Sequence, residues 1–202
     1  MVQQGIIHGR LKRGTIHLCI DVQNLFDEHS PWEVPWLPSI IPPIVRICER
    51  HADATVFTRF IPPRTPSDAI GTWKRYYDKW ADLTLEHLDP MLLDLVPTLR
   101  SFVPPACILD KSVYSPWTEG RLERYLHAKG IHTLVITGAE TDLCVLATLM
   151  GAVDRGYRVV IVSNAVCSVS DQTHDAILSL CRQRFSEQLE TVLAEDLCEA
   201  WS

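Results

Sequence analysis

The chain has 202 residues, 47% hydrophobic and 22% charged, which suits one globular domain with a sizeable core. Its net charge of -6 argues against nucleic acid as a partner, and no apolar stretch approaches the ~20 residues of a membrane span. Seven cysteines, an odd number with no CxxC pair, argue against a small disulfide scaffold and point to a reducing, cytoplasmic setting.

Met1 to Gly14 carries Arg10, Lys12 and Arg13 with no long apolar run behind them. It does not read as a secretory signal, and it is expected to be a mobile leader before a single domain over 15–202. The first strand-like run is Ile16–Ile20, followed by a helix-like Ser39–His51 and a second strand at Thr55–Thr58. Then come strand Cys107–Leu109, helix Thr118–Lys129, strand Thr133–Thr137, helix Asp142–Arg155, strand Arg158–Val162, helix Asp171–Arg184 and a weaker strand at Leu189–Leu193. Several strand runs are continuously aliphatic or β-branched, which suits strands covered on both faces. The Thr118 helix places Leu122, Tyr125 and Leu126 at i, i+3, i+4 and stops before Gly130. The alternation predicts a three-layer α/β domain with a mostly parallel sheet.

Residues 61–105 break this rhythm. Seven prolines (62, 63, 66, 90, 97, 104 and 105) punctuate them, around the aromatic run Trp73 to Trp80. A long excursion with short helices over one sheet edge is expected, serving as a lid or binding loop or as a packing or oligomer surface.

Ligands of open α/β sheets bind beyond the carboxyl ends of the strands. Asp21 directly follows the first strand, Lys111 the third, and Cys144 the fourth. Cys144 lies in the first turn of the expected helix, where free N–H groups and the helix dipole favour thiolate. Asp21 is suited to take the thiol proton and return it to a leaving amine, and Lys111 favours both ionised forms.

With these residues in this order, the chain resembles the isochorismatase-like cysteine hydrolases over roughly Thr15 to Leu197. The matching pieces are Asp21-Val22-Gln23-Asn24-Leu25-Phe26, Lys111-Ser112-Val113-Tyr114, Gly138-Ala139-Glu140-Thr141-Asp142-Leu143-Cys144-Val145 and Ser168 to Ala176. The resemblance implies an Asp21–Lys111–Cys144 triad and a six-stranded parallel, Rossmann-like sheet in the order 3-2-1-4-5-6. It also implies a cis peptide at Ala139–Glu140 and an oxyanion hole from the Glu140 and Cys144 N–H groups. Oligomers are common in the family, so a homodimer or homotetramer is expected.

The family's nicotinamidases build a metal site from an Asp and two His after the second strand. Here that stretch reads Thr58-Arg59-Phe60-Ile61-Pro62-Pro63-Arg64, and no His lies between His51 and His87. No catalytic metal and no other cofactor is therefore expected. The isochorismate-cleaving members lack the cysteine, so Cys144 favours hydrolysis of a C–N bond in a small amide, ureide or N-carbamoyl compound. Phe26, Tyr114 and Trp117 are candidates for the pocket wall, Arg59 for a substrate carboxylate or an internal ion pair, and Gln23 for the substrate amide or the site's backbone. Trp73 or Trp80 is a candidate to close the site. A thiol-redox or peroxide-responsive protein using the same cysteine, and a non-catalytic binding member of the fold, are the alternatives.

Overall fold

In the computed structural model, which describes residues 5–201, six strands form one parallel sheet in the order 3-2-1-4-5-6. They are β1 (Thr15–Ile20), β2 (Thr55–Phe60), β3 (Cys107–Lys111), β4 (Thr133–Ala139), β5 (Arg158–Cys167) and β6 (Leu189–Val192). The helices are α1 (Leu37–His51), α2 (Thr72–Lys79), α3 (Pro97–Arg100), α4 (Arg121–Ala128), α5 (Leu146–Asp154), α6 (Asp171–Arg184) and α7 (Ala194–Ala200). The short α7 was not expected from the sequence. Its seven residues bury Ala194, Leu197 and Cys198 but are too few to show a helical period.

Strand alternation sorts the core into two layers. Ile16, Leu18 and Ile20 of β1 pack with Leu134 and Ile136 of β4 against Leu122, Leu126, Leu149 and Leu178 of α4, α5 and α6. Cys19, Val135 and Val160 point the other way, onto Ile40, Ile44 and Ile47 of α1 and Leu197 of α7. Each such side chain contributes roughly 1.5–3 kcal/mol on burial, so the sheet is held from both faces. None of the seven cysteines forms a disulfide. No helix among the described residues is long and apolar enough to cross a membrane.

Two segments depart from expectation. Residues 1–4 of the expected mobile leader lie outside the described residues, but its remainder is tied down. The Ile7 and His8 N–H groups donate to Glu190 Oε1 at 2.7 and 3.0 Å, and buried Leu11 bridges to Trp201. The buried Glu190 carboxylate also takes Arg158 Nε at 2.7 Å, and together these bonds cover the β6 edge. The excursion, in turn, does not merely cover an edge. Leu25, Phe60, Tyr77, Leu83 and Leu88 form a third small core that seats it beside the carboxyl end of the sheet.

Candidate active site

The strand order makes β1 central, with β4 on one side and β2, then β3, on the other. Asp21 follows β1 with φ 51, a left-handed conformation that Asp tolerates better than most residues. Its Oδ1 accepts from Thr58 Oγ1 at 2.6 Å, and Thr58 Oγ1 in turn accepts from the Asp21 N–H. Lys111 ends β3, two strands from β1, or about 10 Å at the usual spacing. Its long side chain crosses over β2, where Nζ lies 5.1 Å from the Phe60 ring centroid. Nζ stops 2.6 Å from Asp21 Oδ2 and 3.4 Å from Cys144 Sγ, and also donates to Val113 O. Oδ2 accepts no well-aligned hydrogen bond, which leaves it free to take a proton.

Cys144 stands in a single π-helical turn, Thr141–Val145, that leads into α5. Gly138 permits the approach of this turn to Asp21. Its φ is +108, and a Cβ there would sit 2.0 Å from Ile20 O. The Ala139–Glu140 peptide is cis. Among the described residues, neither the Glu140 nor the Cys144 N–H has an acceptor outside this turn. Both stand available to a developing oxyanion.

The electrostatics correct one expectation. The helix start was expected to lower the Cys144 pKa, but burial pushes the thiol well up, and Asp21 adds to this against the opposing pull of Lys111. Asp21 and Cys144 hold the Lys111 ammonium above its ordinary value despite burial. The resting arrangement is thus an Asp21–Lys111 ion pair beside a neutral thiol. Cys144 becomes a nucleophile only as its proton moves to a neighbouring base.

Above these three residues lies a cavity of about 230 Å³, lined by Cys144, Ala139, Glu140, Phe26 and Tyr114. Trp32, Phe60, Tyr76 and Trp80 complete its aromatic wall. Trp32 is the hub, with ring centroids 6.3, 6.1, 5.9 and 6.0 Å from Phe26, Phe60, Tyr76 and Trp80. The sequence pointed to Phe26, Tyr114 and Trp80. It gave no signal for Trp32 or Tyr76, which sit between motifs.

Three expected binding residues are elsewhere. Gln23 is fully buried, with Nε2 donating to Phe60 O and Leu93 O and Oε1 accepting from the Phe60 N–H at 2.6 Å. Its amide is consumed by backbone, so it fixes the chain under the cavity. Arg59 grips Asp110, its register partner on β3, through Nε at 2.8 Å and Nη2 at 3.0 Å, and also meets Asp94. Of its two expected roles it takes the internal ion pair. Trp117 is buried behind α5, donating from Nε1 to Thr148 O, with Arg155 over its ring. Trp73 packs on Tyr114 at 4.8 Å and stays outside the cavity.

The positions after β2 offer no metal-ligating set. Phe60 joins the aromatic wall, and Ile61, Pro62 and Pro63 carry no donor side chain. Among the described residues no three His, Cys, Asp or Glu side chains gather closely enough to hold an ion. The residues present therefore do not fit the nicotinamidase metal.

The isochorismatase-domain family model matches residues 15–192, and the chain belongs to that family. Nicotinamidase 3 of Arabidopsis thaliana is 27% identical over 164 residues, spanning 80% of this chain and 77% of its own length. Maleamate amidohydrolase of Pseudomonas putida is 31% identical over 71 residues, 35% of this chain and 33% of its own. The solved structure of a cysteine hydrolase from Pseudomonas syringae pv. phaseolicola 1448A has the same fold. Its TM-score is 0.81 at 21% identity, covering 99% of this chain and 98% of that one. Amide hydrolases thus stand among the relatives.

Proposed function

We propose that this protein is a cysteine-dependent amidohydrolase that cleaves a non-peptide C–N bond in a small amide, ureide or N-carbamoyl compound without a catalytic metal. The observation that carries the reading is the buried cluster in which Lys111 Nζ touches both Asp21 Oδ2 and Cys144 Sγ beneath a closed-sided cavity. Asp21 takes the Cys144 proton as Sγ attacks the carbonyl carbon, and Lys111 balances the charge on the sulfur. The carbonyl oxygen, now negative, rests on the Glu140 and Cys144 N–H groups. The C–N bond breaks as Asp21 gives its proton to the nitrogen, which leaves as ammonia or an amine. Water then adds to the thioester, Asp21 accepting its proton, and the C–S bond breaks to release the acid and restore the thiol.

The raised thiol pKa fits this order of events. A permanently ionised cysteine would be a weaker nucleophile, whereas a thiol deprotonated only during attack keeps its reactivity. The test is ammonia release from a panel of small amides, ureides and N-carbamoyl compounds, with a chelator present. Chelator-resistant turnover that Cys144→Ala abolishes is expected. Turnover that survives the substitution would overturn the nucleophile assignment, and turnover lost to the chelator would overturn metal independence.

A further inference from the structure

We propose that the cavity selects amides carrying a cationic, alkylammonium-type group beside the bond that is cleaved. The inference rests on the amide-hydrolase reading and names its substrate class.

The wall chemistry carries it. Five rings from separate stretches of chain, those of Phe26, Trp32, Phe60, Tyr76 and Trp80, face the same small space. Aromatic faces attract a cation through the ring quadrupole, and do so without requiring hydrogen bonds from it. A methylated ammonium has few or none to give. Carboxylates complete the lining: Glu140 stands deep, four residues before Cys144, and Glu33 is exposed. Glu140 Oε2 accepts from the Val169 N–H at 3.2 Å and from Ser168 Oγ at 3.4 Å, which leaves Oε1 without a partner among the described residues.

No Lys, Arg or His side chain lines the cavity among the described residues. The two cations nearest the floor are already committed, Lys111 to Asp21 and Arg59 to Asp110 and Asp94. Lys79 lies 5.1 Å from the Trp80 centroid but is exposed and outside the lining. A carboxylate substrate would therefore be stripped of water with no counter-charge. The one unpartnered donor in the wall, the buried Trp32 Nε1–H, suits a carbonyl or hydroxyl oxygen and does not neutralise an anion.

The test uses binding, so that it does not depend on turnover. Cys144→Ala protein is titrated, by calorimetry or tryptophan fluorescence, with three amides of similar size. They are trimethylammonioacetamide, its uncharged isostere tert-butylacetamide, and the carboxylate succinamate. The cation is expected to bind about tenfold or more tighter than its isostere, with succinamate weakest. Trp80→Leu and Glu140→Gln, each added to Cys144→Ala, are expected to erase most of that ratio and to leave tert-butylacetamide binding within a few-fold. Equal or tighter binding of either other amide, or no binding of the cation, would overturn the proposal. The preference can fail while the wild-type enzyme still releases ammonia, and can hold while it releases none, so the two readings fail separately.

Discussion

Asp21, Lys111 and Cys144 stand at the ends of β1 and β3 and one turn past β4, where sheet register fixes their separation. Trp32, Tyr76 and Trp80 stand outside the sheet, on a turn and around the two-turn α2, held mainly by packing on one another. The floor of the cavity is polar, buried and hydrogen-bonded in every direction but one; the wall is aromatic and half-buried. Chemistry placed on strands and selectivity placed on an insertion separate the two demands. Substitutions in the floor are expected to change kcat or the fold itself, and substitutions in the wall to change KM.

The largest effect is expected from Cys144→Ala, a fall in kcat of at least about 10⁴-fold in ammonia release, with thermal stability little changed. Next is Gly138→Ala. A Cβ 2.0 Å from Ile20 O forces β4 away from β1, and urea unfolding is expected to show a loss of about 2–4 kcal/mol. Thr58→Val removes the donor that holds Asp21 Oδ1 but leaves Lys111 in place. It is expected to lower kcat by ~10²-fold with KM nearly unchanged, a split that marks a positioning residue.

In the wall, Phe26→Ala is expected to raise KM by about tenfold while kcat stays within a few-fold. A fall in kcat to match the floor variants would erase the distinction between the regions.

The smallest effect concerns pH. His17 lies under the floor between Thr55 and Thr137, and burial, aided by His51, lowers its pKa to about 3. Its folded pKa is below the ordinary 6.5, so the unfolded chain binds the proton first. The stability linked to neutral His17 is complete above pH 6.5 and is lost as pH falls toward 3, at up to ~1.4 kcal/mol per unit. Urea unfolding between pH 6.5 and 5 is expected to show this slope, and His17→Gln to flatten it.

The floor was legible in the sequence because its parts obey simple rules. Aliphatic runs such as Val135–Ile136 make buried parallel strands, and a reactive residue just past such a run lies on the ligand-binding edge. The strand order and the triad also came from the match of Asp21, Lys111 and Cys144 to a family pattern. The wall was not legible, because prolines and short 3-10 turns in 61–105 carry no hydrophobic period to read. Nearness in sequence also misled. Gln23 is two residues from Asp21 and Trp117 three from Tyr114, yet one turns under the backbone and the other behind α5. Arg59 alternates with Thr58 on β2, so only Thr58 faces Asp21. The Cys144 pKa was misjudged in direction because helix position is visible in sequence and depth of burial is not.

The most direct test of the account is the mass of the peptide containing Cys144 after turnover is quenched in acid, using the best amide of the panel. The account predicts a mass increase equal to the acyl group on Cys144, discharged by hydroxylamine and absent when Cys144 is replaced by Ala. Turnover with no acyl group on Cys144, together with ammonia release that persists in Cys144→Ala, would contradict it.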